Sequence, residues 1–189
     1  MSTLMGHIVE NVYWLWEGAL SKEFCNSILS EVDWKQGETA GLSDRVEVDL
    51  KIRRTDVVWQ DPMQPLGCIA KTYIDMANQS AGWNYALTAQ EATQIGRYKG
   101  TNKGYYDWHV DTAIPREGMQ RKLSISILLS DPSDFKGGEL QFKGIEDRKI
   151  LTKQGSIVVF PSFIEHTVTP VTKGVRYSAV TWVHGPSFR

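Results

Sequence analysis

Residues Arg121 to Leu129 read RKLSISILL. Leu123, Ile125, Ile127 and Leu129 fall on one face of this stretch, with Ser124, Ser126 and Leu128 on the other. Period-two alternation of branched aliphatic residues is the mark of a β-strand that lays one face on an apolar core. Similar short stretches follow: GGELQF at 137–142, GSIVVFP at 155–161, EHTVTPV at 165–171 and RYSAVTWV at 176–183. Gly, Pro and charged residues punctuate them, and many short strands with turn signals point to a sandwich or barrel.

Upstream the character changes. Residues 21–33, SKEFCNSILSEVD, open on an N-cap type Ser21 and place Phe24, Ile28, Leu29 and Val32 on one stripe, which predicts a helix. A second helix is expected from about Pro65 to Gln79, with Leu66, Ile69, Ala70, Tyr73 and Ala77 on one face. Between them VEVDLKIRRTDVVW alternates and reads as one or two strands. Helices first and a run of strands after them give an α+β chain, mainly β, with the helices covering one sheet.

The length of 189 residues fits one domain with a well-buried core, residues 1–189. With 21 basic and 22 acidic residues the charges nearly cancel, and no Lys/Arg run offers a nucleic-acid groove. No apolar run approaches the roughly 18 residues of a membrane span. The N-terminus lacks a basic n-region and is a poor signal peptide. Cys25 and Cys68 form no CxxC pair and read as two buried free thiols, and Asn78-Gln79-Ser80 as a chance sequon. A cytoplasmic protein is expected, and nothing in the sequence assigns an oligomeric state.

His109 and Asp111, in YYDWHVD, are two ligand-type residues spaced to share a strand face. On its own an HxD pair is weak evidence. Of the remaining histidines, His7, His166 and His184, His166 follows an apolar strand and a Pro-Ser turn, from which it can cross an antiparallel barrel to the first pair. Two His and one carboxylate form the facial set of non-haem Fe(II) oxygenases, although zinc also accepts such donors. Arg176 decides between them. An arginine inside a barrel is costly without an anion, and no carboxylate lies within three positions of it. Its fork, with Ser178 on the same face, suits the far carboxylate of a dicarboxylate that chelates iron at its other end, which is 2-oxoglutarate.

The blocks HVD, LSISILLSDPSDFKGGELQF and GSIVVFPSFIEHTVTPVTKGVRYSAVTW, in that order, resemble the Fe(II)/2-oxoglutarate-dependent dioxygenases. The resemblance is to the prolyl 4-hydroxylase-like branch, and within it to bacterial PKHD-type hydroxylases; it runs from about Tyr98 to Trp182. It implies a double-stranded β-helix (jelly-roll) over residues 94–185 as catalytic core, with residues 1–93 in support and the helices on the larger sheet. It implies Fe(II) on His109, Asp111 and His166, and 2-oxoglutarate on Arg176, with Tyr98 and Ser178 beside it and O2 as the oxidant. Leu128 stands where animal prolyl hydroxylases carry a tyrosine that touches the cosubstrate.

The implied reaction hydroxylates a prolyl residue of a peptide or protein and releases succinate and CO2. The alternatives are a free amino acid or other small molecule as substrate, or a non-catalytic ligand-binding barrel. Retention of all four residues argues against the last. Trp59, Tyr105, Tyr106, Trp108, Arg53 and Arg54 are candidates for the mouth of the cavity, and Asp107 is expected on the Asp111 face.

Overall fold

The computed structural model describes residues 12–35, 38–39, 52–112, 117–146 and 148–188. In chain order the elements are β1 Trp14–Trp16, α1 Lys22–Glu31, β2 Glu38–Thr39, β3 Arg53–Arg54, β4 Asp56–Gln60, α2 Pro65–Ser80 and β5 Thr93–Lys99. They continue as β6 Tyr105–His109, β7 Met119–Leu128, β8 Phe135–Gly137, β9 Leu140–Phe142, β10 Ile157–Pro161, β11 His166–Val168 and β12 Val171–Pro186. The larger sheet runs β1-β10-β7-β12-β5-β4-β2, with β8 also pairing β12; the smaller runs β3-β6-β11-β9. Every pairing is antiparallel.

Period-two alternation builds two apolar layers from the same strands. Leu123, Ile125 and Ile127 of β7, Ile157 and Val159 of β10 and Ala179 of β12 face one way, and Leu66, Ala70, Ile74 and Ala77 of α2 with Cys25 and Ile28 of α1 cover them. The opposite faces enclose Tyr98, Val158, Phe160 and Val171 against Leu140, Phe142 and Val168 of the smaller sheet. This is the double-stranded β-helix, with both helices on the larger sheet. Ile127 is 1% exposed at the centre of the first layer. Ile127→Ala should therefore cost about 2–5 kcal/mol in a urea melt, and a loss under about 1 kcal/mol would place it outside a close-packed layer.

Local chemistry sets the helix ends. The Ser21 hydroxyl accepts from the Phe24 N–H at 3.2 Å and caps α1. Pro65 opens α2 after an extended Gln64, where a proline's missing N–H costs nothing. Gly82, at φ +72°, takes the left-handed position that closes α2, its N–H donating to the Gln79 carbonyl.

Three expectations shift. The 46–59 stretch yields two strands, β3 and β4, while its residues 46–51 lie outside the described set. The first helix stops at Glu31, two residues early. Cys68 is exposed, not buried: Leu66, Ala70 and Ile74 face the sheet, and two residues beyond Leu66 the helix has turned about 200° away. Cys25 is buried as expected, and burial pushes its thiol up to about 11.

Candidate active site

β6 and β11 are neighbours in register, with His109 directly opposite His166. Asp111 lies beyond the end of β6, so strand alternation does not aim it. Its backbone N–H and that of Thr112 both donate to the Ser162 carbonyl, at 2.9 and 3.0 Å, and this turns the chain inward. His109 Nε2 then stands 3.6 Å from Asp111 Oδ1, and His166 Nε2 3.5 Å from Asp111 Oδ2. The ligand atoms of the three residues all lie within 4.8 Å of one another, so His109, Asp111 and His166 can hold one metal ion.

Each imidazole is oriented by the same device. His109 Nδ1 faces the Asp107 carbonyl at 2.7 Å, and His166 Nδ1 the Ile164 carbonyl at 2.9 Å. A carbonyl can only accept, so Nδ1 carries the proton and Nε2 keeps a free lone pair toward the cluster. Burial, helped by the neighbouring His166, pushes His109 down to about 4, so its ring is neutral and ready to ligate at neutral pH. Burial works against the charge on Asp111. The adjoining imidazoles and hydrogen bonds from Trp182 and Ser124 outweigh it and hold the carboxyl below its usual range.

Ser124 Oγ donates to Asp111 Oδ2 at 2.7 Å and also meets Ser162 Oγ at 2.9 Å. Ser124→Ala should free the carboxylate to rotate and lower metal affinity by about tenfold, read by competition with a chromogenic chelator. Unchanged affinity would mean the hydroxyl does not orient the ligand.

The cluster opens into a cavity lined also by Arg53, Gln94, Tyr98, Tyr106, Arg176 and Ser178. Arg176 is 1% exposed. Its Nη1 donates to Ser178 Oγ at 2.9 Å and its guanidinium lies 5.3 Å from the Tyr98 ring centroid. No carboxylate pairs with it among the described residues. Gly138, at φ +63°, passes so close that a Cβ there would meet Arg176 Cδ at 2.8 Å, so the glycine leaves room for the guanidinium stem.

The six residues singled out for metal and cosubstrate therefore converge, but the mouth candidates divide. Arg53 and Tyr106 line the cavity, and Trp59 packs on Trp182 at 6.5 Å. Arg54 instead covers Tyr105, and Trp108 lies under Lys143. Asp107 turns outward, because pairing of β6 with β11 slips between Tyr106 and His109 and breaks the alternation that placed it.

Sequence reasoning missed the buttress of Asp111. Arg121 bonds both oxygens of Glu91 at 2.5 and 2.6 Å, its guanidinium stacks 4.0 Å from the Trp182 ring, and it donates to the Asp111 carbonyl at 3.4 Å. His184 joins the same Glu91 at 2.5 Å. The one available signal was Ser124 and Ser126 on the inner face of a strand buried from Lys122 to Leu128, a polar lining where packing alone would use aliphatics.

Residues 93–184 match the family model described as 2OG-Fe(II) oxygenase superfamily. A PKHD-type hydroxylase of Prochlorococcus marinus is 38% identical over 155 residues, 79% of this chain and 66% of that protein. One from Synechococcus sp. is 42% identical over 79 residues, 41% of this chain; the chain spans 35% of that relative's length. Among solved structures, a viral collagen prolyl hydroxylase of Paramecium Bursaria Chlorella virus-1, crystallised with 2OG, is 22% identical. Its TM-score is 0.71, over 95% of this chain and 99% of that one. A prolyl hydroxylase of Trichoplax adhaerens, in complex with a hypoxia inducible factor peptide fragment, has TM-score 0.63 at 21% identity over 92% and 84% of the chains. The family implies Fe(II), 2-oxoglutarate and O2, and the residues fit: two imidazole nitrogens and a carboxylate suit Fe(II), and a buried, carboxylate-free guanidinium suits a dicarboxylate. Over residues 93–184 this chain belongs to the 2OG-Fe(II) oxygenase superfamily, with PKHD-type hydroxylases among its relatives.

Proposed function

We propose that the chain is an Fe(II)- and 2-oxoglutarate-dependent dioxygenase that hydroxylates a C–H bond of a prolyl residue in a peptide or protein. The observation that carries this reading is one cavity that holds both a His-Asp-His cluster and a buried guanidinium lacking a carboxylate partner among the described residues. Bound together, Fe(II), 2-oxoglutarate and O2 supply the oxidising chemistry: the oxo acid leaves as succinate and CO2, and one oxygen enters the substrate.

The protein's part is placement. His109 and His166 present Nε2, and Asp111 one carboxylate oxygen, leaving the remaining metal positions to other ligands. Arg176, with Ser178 and Tyr98 beside it, takes the far carboxylate of the oxo acid. Leu140, Phe160 and Val168 keep the cavity walls apolar and exclude bulk water.

A chain-like substrate is supported by the rim. Val110 sits between two of the cluster residues and is 48% exposed; Phe163, just ahead of His166, is 47% exposed and packs on Phe188 at 5.9 Å. Trp59, 48% exposed, packs on Trp182 of the cavity lining. Exposed apolar residues beside the cluster and the cavity lining suit a polymer lying across them. The viral collagen prolyl hydroxylase and the peptide-bound prolyl hydroxylase, which share this fold, favour proline as the target. The two free cysteines fit a reducing compartment such as the cytoplasm.

The test is mass spectrometry of proline-containing peptides after incubation with protein, Fe(II), 2-oxoglutarate and O2. One added oxygen on proline, absent with His109→Ala, is the expected result. Succinate release with every peptide unmodified would overturn proline as the target and leave the chemistry standing.

A further inference from the structure

The same cavity holds a second arginine that the proposed reaction does not use. Arg53, on β3, is 6% exposed. One nitrogen, Nη2, donates to Gln94 Oε1 at 2.5 Å, and the guanidinium lies 4.6 Å from the Tyr106 ring centroid. Its Nε is buried with no hydrogen-bond partner, and no carboxylate pairs with it among the described residues. A charge this buried is retained at a cost unless something anionic meets it.

Arg53 and Arg176 are anchored at different levels. Gln94, which holds Arg53, pairs with Val180 on β12, whereas Tyr98 pairs with Arg176 itself, four residues and about 13 Å of strand away. Arg53 stands on the metal side: the Tyr106 ring it covers stacks on His109 with centroids 3.5 Å apart. One dicarboxylate chelating the metal and docked on Arg176 has no third carboxylate to offer Arg53.

Charge balance points the same way. Beyond imidazoles and phenols, the ionisable residues lining the cavity are Asp111, Arg53 and Arg176. Fe(II) and the 2-oxoglutarate dianion cancel, and Asp111 offsets one arginine. One positive charge is left over, close to where the reacting C–H bond must lie.

Resting on the proposed oxygenase reading, we infer that the substrate carries a carboxylate close to the hydroxylated carbon and that Arg53 binds it. The carboxylate has three sources with one chemistry: a free amino acid, a peptide C-terminus, or an acidic side chain beside the target residue. Arg53 is then the specificity-determining residue, and a neutral substrate leaves its Nε unpaired.

The test is isothermal titration of the protein loaded with Zn(II) and 2-oxoglutarate, which cannot turn over. The probes are matched pairs differing in one charge: L-proline and L-prolinamide, glycyl-L-proline and its amide, and N-acetyl-prolyl-aspartyl amide and its asparaginyl counterpart. Saturable binding of at least one acid, on the order of a hundredfold tighter than its neutral partner, is expected, and the pair that shows it identifies the source. In Arg53→Gln the acid should fall to the level of its neutral partner, and Arg53→Lys should retain part of the preference. Equal affinities within every pair, no binding by any acid, or an Arg53→Gln variant that weakens both members alike would overturn the assignment. Binding of 2-oxoglutarate is recorded first in the same titration. Its absence would count against the oxygenase reading, and its presence without acid preference against Arg53 alone.

Discussion

Asp111→Ala should leave a folded barrel that no longer retains a divalent metal and turns over nothing above background. Asp111 stands between the two imidazoles, 3.6 and 3.5 Å from their Nε2 atoms, and is the only carboxylate lining the cavity among the described residues. Losing a hydrogen-bond partner of a ligand costs about 10–100-fold in metal affinity, and losing one of three ligands must cost more. The fold should survive because the carboxylate bonds only side chains at the cavity wall, Ser124 and Trp182, while the backbone bonds to Ser162 are kept. Circular dichroism reads the fold and elemental analysis after dialysis reads the metal. Stoichiometric metal in a folded variant would remove Asp111 from the ligand set.

The second large effect separates binding from stability. Arg176→Met should weaken 2-oxoglutarate by about 3 kcal/mol, on the order of a hundredfold, because the far carboxylate would be buried without a partner. The same change should leave the ligand-free protein as stable as wild type or more so, by about 1 kcal/mol or more. The methionine keeps most of the volume and removes a 1% exposed guanidinium whose polar contact among the described residues is the Ser178 hydroxyl. A residue kept for structure would show the opposite pair of signs. Titration calorimetry and a urea melt on the same preparation check both. Undiminished 2-oxoglutarate affinity would remove Arg176 from the cosubstrate site.

The strands announced themselves by pattern: the two faces of β7 read directly from RKLSISILL, and β10 stands out as a short apolar run in GSIVVFP. The His-Asp-His set was legible from residue type and spacing, yet part of the reason was not. Asp111 enters the site through two backbone bonds to Ser162, a contact between distant segments that no local pattern carries. The slip beside His109 likewise moved Asp107 out of the site, since a bulge resets which side chains share a face. The Glu91–Arg121–His184 buttress joins two strands and a loop far apart in sequence, so each of its members reads alone as an ordinary surface charge. Arg53 stood out only as one candidate among six; its isolation and its missing partner are properties of the folded cavity.

The most direct measurement supplies Fe(II), 2-oxoglutarate and isotopically labelled O2 to the protein and follows succinate by mass spectrometry, with His109→Ala as control. Succinate carrying one labelled oxygen, formed only by wild type and only with Fe(II), is the expected result. Succinate no greater than in the control, from protein shown to bind both metal and 2-oxoglutarate, would contradict assignment of this cavity to oxygenase chemistry.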